Sequence, residues 1–200
     1  GMEHEEDLGD TTKHYGTYEY FGEASLILDQ PRSADVYADT EVQALTIEKA
    51  RFLNFIKGSG LSQKFTMLSE IRKTGSWEVL SKSRFFRATT SAQKTQLELL
   101  LSVRHCMQGD YLIRENETFE EAFIIKNGTV EVLQGGRVVE VLSRGDFCGE
   151  IFKLQKETRS AFDFKASSNL DLYAIGRNDL VQYIAENPGV YMRLNYVYGG

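Results

Sequence analysis

Residues 20–34 read YFGEASLILDQPRSA, and residues 147–161 read FCGEIFKLQKETRSA. Gly22-Glu23 followed by Arg32-Ser33-Ala34 returns as Gly149-Glu150 followed by Arg159-Ser160-Ala161, at a constant offset of 127 positions. Phe21 and Phe147 precede the two copies. Self-similarity at a fixed spacing is the mark of a repeated structural unit. After a one-residue slip the likeness continues, with Val42, Leu45, Ile47, Phe52, Phe55 and Ile56 answering Leu170, Tyr173, Ile175, Leu180, Tyr183 and Ile184. Only about twenty residues precede the first Gly-Glu, against a long strand-rich stretch before the second. The first unit is therefore expected to lack its front part. Gly1 ahead of Met2 has the look of an expression remnant, which agrees with a segment cut from a longer parent.

Working outward from the two copies, the chain alternates between helical and strand patterns. Phe52 to Ile56, and then Phe65, Leu68 and Ile71, space their apolar residues as amphipathic helices do, with Gly58 and Gly60 as breaks. A further helix is expected over Ser91–Leu101, with Ser91 as N-cap. From Val103 to Phe147 short strands are separated by turn residues, Asn127-Gly128 and Gly135-Gly136 reading as tight hairpin turns. After the second Gly-Glu come a short helix, two more strands ending near Ile175, and a terminal helix capped by Asn178 and interrupted around Asn187-Pro188-Gly189. The expected fold is α+β: a small antiparallel β-barrel, jelly-roll-like (a double-stranded β-helix), flanked by N- and C-terminal helices. The expected organisation is a C-terminal half-unit over 1–57, a helical connector over 58–79 and a complete second unit over 80–200.

Composition narrows the function. The chain has 42% apolar residues, enough to bury a core, and a formal net charge of −6 with no Lys/Arg-rich run. A nucleic-acid or anionic-membrane partner held by the bulk field is not expected. No signal-like or spanning apolar stretch occurs, so a cytoplasmic location without a membrane span is expected. Cys106 and Cys148 suggest neither a disulfide nor a CxxC site. His4, His14 and His105 form no ligand-spaced metal cluster. Kinase glycine-rich and catalytic-loop motifs are absent, as is a helix-turn-helix, so no catalysis by the chain itself is expected.

The stretch YFGEASLILDQPRSADVYADTEVQALTIEKARFLNFI resembles the phosphate-binding cassette and following strands of the cyclic-nucleotide-binding family, as found in regulatory regions of cAMP- and cGMP-dependent protein kinases. The second unit resembles a whole domain of that family: GDYLIREN its early strand, FIIKNGTVEVL its central hairpin, GDFCGE with TRSA its cassette. The resemblance implies a sensor that binds cGMP or cAMP as ligand, holds no further cofactor, and regulates a kinase catalytic domain in cis or in trans by an allosteric helix rearrangement. Its ligand-binding residues would be Gly22, Glu23, Ala24, Arg32, Ser33 and Ala34 in the first copy, and Gly149, Glu150, Ile151, Arg159, Ser160 and Ala161 in the second.

The residue types suit that ligand. An arginine fork donates two parallel charge-assisted hydrogen bonds to two phosphate oxygens. By the family's assignment, Glu23 and Glu150 accept from the ribose 2′-hydroxyl. The glycine before each permits close backbone approach, and the short helix that follows can turn N–H groups toward an anion. In the family, a hydroxyl after the arginine favours guanine, so Ser33 and Ser160 point toward cGMP. The second copy departs from the pattern at Cys148, Phe152, Lys153, Thr158 and Phe162, changes expected to crowd its pocket. The alternative is thus a degenerate barrel serving as a scaffold or interaction module. Tyr191, Tyr196 and Tyr198 are candidates for a lid over the base.

Overall fold

The computed structural model describes residues 14–27, 35–156 and 158–198. Its elements run α1 (Glu23–Ile27), α2 (Lys49–Ile56), α3 (Leu61–Lys73), α4 (Ser76–Lys82), α5 (Ser91–Glu98), β1 (Ser102–Cys106), β2 (Tyr111–Ile113), β3 (Glu121–Asn127), β4 (Val130–Gln134), β5 (Arg137–Leu142), β6 (Phe147–Cys148), α6 (Ile151–Lys156), β7 (Asp163–Ala166), β8 (Leu170–Gly176), α7 (Arg177–Glu186) and α8 (Pro188–Tyr198). The strands form two four-stranded antiparallel sheets, ordered β1-β8-β3-β6 and β2-β7-β4-β5. The expected antiparallel β-structure with flanking helices is present. Its ladders divide into two facing sheets, and barrel closure is not part of what they show.

The two central strands of the first sheet, β3 and β8, are buried on both faces, which explains why they read as apolar runs and not as alternation. On β3, Phe123 and Ile125 face the second sheet, in a cluster with Val130, Val132, Phe164 and Leu172. Ala122 and Ile124 turn the other way, into a cluster with Leu80, Phe86, Leu97 and Tyr183 from the helices. β8 divides likewise, Leu170, Leu172 and Ala174 inward and Tyr173 and Ile175 toward the helices. Every strand position of β3 from Ala122 to Ile125 is therefore apolar and buried.

Several expectations are corrected locally. Asn127-Gly128 is no hairpin turn, because β3 and β4 lie in different sheets. The corner follows the parallel corner between β7 and β8, to which it is tied by Ser167 N–H donating to the Thr129 carbonyl (3.0 Å) and Thr129 N–H donating to Ser168 Oγ (2.9 Å). Gly128 has φ +92, and a Cβ there would lie 2.4 Å from the Asn169 carbonyl oxygen, so only glycine fits. Gly135-Gly136 does close a two-residue hairpin, with Gln134 opposite Arg137. Thr90, not Ser91, caps α5, in a reciprocal box with Gln93 (3.2 and 2.9 Å). The cap of α7 lies two residues earlier than expected, at Gly176 and not Asn178. The break before Pro188 is real, and Asn187 there joins α5 through Gln93 Nε2 (2.9 Å) and Gln96 Oε1 (3.2 Å).

α2 and α3 fall where the spacing predicts. Residues 35–48 carry no strand, and Val42, Leu45 and Ile47 are exposed. Cys106 and Cys148 are free, and burial pushes the Cys148 thiol well above its usual range. Among the described residues no helix is long and apolar enough to cross a membrane.

Candidate functional site

The second cassette begins where β6 leaves the first sheet. Gly149 has φ +141, and a Cβ there would sit 3.1 Å from Cβ of Ala122, so glycine lets the chain pass close over β3. The Glu150 carbonyl accepts from the amides of Lys153 and Leu154 (3.0 Å each) and starts α6. Ile151 and Leu154 bury themselves against the helices, which fixes the rotation of this short helix. The chain then returns, Thr158 N–H donating to the Lys153 carbonyl (3.1 Å).

Glu150 and the end of the cassette are brought together. Glu150 is 4% exposed, and its Oε2 accepts from Ser160 Oγ (2.6 Å) and from the amide of Ala161 (2.8 Å). Oε1 accepts nothing among the described residues, and no sealed polar side-chain atom among them lacks a partner, so Oε1 reaches solvent. Arg159 sits next to Ser160 and is exposed, with Nη1 donating to the Asn116 carbonyl (2.9 Å). Of the five N–H donors of a guanidinium, the others are unengaged by described residues. The loop before β3 is zipped to the cassette by Asn116 N–H to Ser160 O and Ser160 N–H to Glu117 O, both 2.9 Å. Between loop and cassette lies an open recess of about 580 Å³, lined by Asn116 and Thr118, by Lys153 from α6, and by Thr158 through Ala161. That volume falls within the roughly 300–1,000 Å³ of small-ligand sites.

Two expected contributions come out differently. Phe152 does not crowd the recess: it is 44% exposed, with Lys156 Nζ 4.3 Å above its ring. Ser160 is buried, and its hydroxyl lies 2.6 Å from Glu150 Oε2 and 2.7 Å from the Phe162 carbonyl while accepting from Phe162 N–H (3.2 Å). It braces the glutamate, and one lone pair of its oxygen is taken by the Phe162 amide. Tyr191 packs against the helix-side cluster and does not line the recess. The side chains of Tyr196 and Tyr198 lie outside the described residues.

In the first cassette Gly22 and Glu23 are described, while Arg32, Ser33 and Ala34, and the side chain of Ala24, lie outside the described residues. Glu23 opens α1, and its Oε1 stands 3.9 Å from Arg72 Nη1. Arg72, on α3, donates from Nε to Glu98 Oε2 and from Nη2 to Thr95 Oγ1, both 2.8 Å, and lies 5.3 Å from the Trp77 ring centre. Glu98, fully buried, also accepts from Ser76 Oγ (2.6 Å). Burial first, and the Glu23 charge second, raise the Tyr15 and Tyr20 phenols. Sequence reasoning missed this cluster. Its one local signal was Glu98 between Leu97 and Leu101 on the apolar side of a helix.

Comparison with known proteins agrees with this architecture. The family model for the cyclic nucleotide-binding domain matches residues 3–59 and 103–187, well over half of the chain. A cGMP-dependent 3′,5′-cGMP phosphodiesterase A of Dictyostelium discoideum is 31% identical over 92% of this chain and 22% of its own length. A cGMP-dependent protein kinase of Toxoplasma gondii is 32% identical over 70% of this chain and 13% of its own. A cAMP-dependent protein kinase regulatory subunit of Mycosarcoma maydis is 30% identical over 77% and 28% respectively. The chain thus spans less than a third of each of these relatives. Among solved structures, a mutant regulatory subunit of a cAMP-independent protein kinase A from Trypanosoma brucei, bound to cAMP in its A site, superposes with a TM-score of 0.57 at 21% identity, covering 90% of this chain and 64% of that one. Both cassettes, strands β2 to β8 and helices α1, α2, α6 and α7 lie within the matched segments, and the chain belongs to the cyclic nucleotide-binding domain family.

Proposed function

We propose that this chain is a cyclic-nucleotide-sensing regulatory module of a cyclic-nucleotide-dependent protein kinase, its second unit (80–200) holding cGMP or cAMP and its connector helices carrying the response. The observation that carries this reading is the juxtaposition of Glu150, with Oε1 unengaged, and Arg159, with most donors unengaged, at the two ends of one cassette beside an open recess. A cyclic phosphate would take the guanidinium fork, and the ribose 2′-hydroxyl would donate to Glu150. Gly149, Ile151 and Ala161 shape the cage by backbone, and Ser160 holds Glu150. In the first unit (1–57), Gly22 and Glu23 with Arg32, Ser33 and Ala34 would form the second such cage.

The connector (58–79) supports an allosteric role. Arg72 stands between Glu23 of the first cassette and Glu98 of the second unit, so a nucleotide engaging Glu23 would compete with Arg72 and alter its grip on α5. A phosphodiesterase matches even more of the chain, and the kinase is favoured because several kinase proteins, both cGMP- and cAMP-dependent, match it. A second reading, a scaffold without nucleotide, draws on the bond Arg159 already makes to Asn116. Side-by-side titration with cAMP and cGMP separates the two. A saturable response that Arg159→Ala abolishes, a loss of about 3–5 kcal/mol from an unpaired phosphate, supports the sensor. No binding to either nucleotide favours the scaffold, and binding unaltered in that variant takes Arg159 out of the site.

A further inference from the structure

The recess beside the second cassette holds a cation that the arginine-based reading leaves unused. Lys153 lines it together with Arg159, and no acidic side chain is among the described residues that line it. Among the described residues neither Lys153 nor Arg159 lies within 4 Å of a carboxylate. Both are thus spared the ion pairs that Arg72, Lys73, Lys82, Arg84, Arg104, Arg144 and Arg177 make with acids. The placement of Lys153 follows from its neighbours. Burial of Ile151 and Leu154 sets the face of α6, and the Thr158 amide bonded to the Lys153 carbonyl draws the returning chain alongside it. Asn116, Thr118 and Thr158, all uncharged, line it as well. Glu150 of the same cassette has one carboxylate oxygen already engaged by Ser160 and Ala161.

A cyclic phosphodiester brings one negative charge, and one guanidinium answers it. A 5′-phosphate monoester brings nearly two at neutral pH, its second proton leaving at a pKa of about 6, and a lone arginine leaves half of that charge unanswered. We infer that Lys153 is a second phosphate-binding residue, and that it admits nucleoside 5′-monophosphates to this recess as competitors of the cyclic nucleotide. The inference rests on the proposed nucleotide site, and adds to it the ligand's charge state as a determinant of selectivity.

The test is calorimetry on the full chain at low salt, with cGMP, cAMP and 5′-GMP, at pH 5.5 and pH 7.5. The wild type, Lys153→Met, Lys153→Arg, Lys156→Met and Arg159→Ala are compared, with thermal melts to verify folding. The expected result is 5′-GMP binding that strengthens from pH 5.5 to 7.5. Lys153→Met should weaken it about tenfold or more at pH 7.5 and flatten the pH dependence, Lys153→Arg should retain it, and the cyclic nucleotides should lose less. Lys156→Met controls for bulk charge and should leave the ratio unchanged. Cyclic-nucleotide binding that needs Arg159, with no 5′-GMP binding or with Lys153→Met inert, overturns this inference and leaves the sensor reading standing. Binding of 5′-GMP alone, sensitive to Lys153, does the reverse. Equal losses in Lys153→Met and Lys156→Met, or no binding of any nucleotide, overturn the second-contact role, and the latter overturns the sensor as well.

Discussion

The two cassettes carry the same residues in different surroundings. In the second unit Leu170, Tyr173 and Ile175 are 3%, 0% and 0% exposed, paired into β8 between two apolar clusters. Their counterparts Val42, Leu45 and Ile47 are 61%, 102% and 62% exposed and belong to no strand. The glutamates diverge as well. Glu150 turns back on its own cassette, to Ser160 and Ala161, whereas Glu23 looks outward to Arg72 of the connector. A repeat in sequence therefore repeats capacity, and the neighbours decide which capacity is used. β8 is a strand because β1 and β3 satisfy its backbone on both sides, and residues 35–48 have no such strands beside them among the described residues.

The sharpest test of this contrast is Arg72→Ala. It would strip the partner from fully buried Glu98, and unfolding by denaturant should show a loss of about 3–5 kcal/mol, far beyond a surface ion pair. A loss under about 1 kcal/mol would mean that Ser76 alone holds Glu98 and that the first cassette is not tied to the second unit through this arginine. Next comes the matched pair Ile175→Ala and Ile47→Ala. The first should cost about 2–5 kcal/mol and the second less than about 0.5 kcal/mol. Comparable costs would show that the first unit is buried in solution.

Tyr183 and its counterpart Phe55 differ by a hydroxyl and by burial. Tyr183 is buried, its hydroxyl donates to the Gln93 carbonyl (3.2 Å), and burial pushes its phenol up to about 12. The folded chain thus keeps a proton that the unfolded chain releases from about pH 10. The contribution is intact below pH 10 and is lost as the pH rises toward 12, amounting to about 2–3 kcal/mol. Urea unfolding across that range should fall less steeply in Tyr183→Phe than in the wild type, and equal slopes would remove the effect. A more modest loss is expected from Ser160→Ala, which takes one of two bonds from the Glu150 carboxylate and should cost about 1–3 kcal/mol of stability. No change in unfolding would mean that the Ala161 amide alone positions the glutamate.

Much of this was legible in residue order. Local rules act over a few residues, so the helices after Gly58 and Gly60, the Gly135-Gly136 hairpin and the interruption before Pro188 could be read directly. The spacing from Glu150 to Arg159, and the family it signals, were visible because a cassette is one continuous segment. What escaped were relations between segments far apart in the chain. Asn127-Gly128 reads as a hairpin, yet its strands separate into two sheets because the β7–β8 corner holds it there. Ser160 reads as a base contact and Lys153 as an obstacle. Only the folded arrangement turns the one toward Glu150 and sets the other on the recess wall. The Arg72–Glu98 contact had no local signature beyond one misplaced-looking acid. Hydrogen-bond partners and buried charges are assigned by proximity in space, which periodicity and motif spacing do not encode.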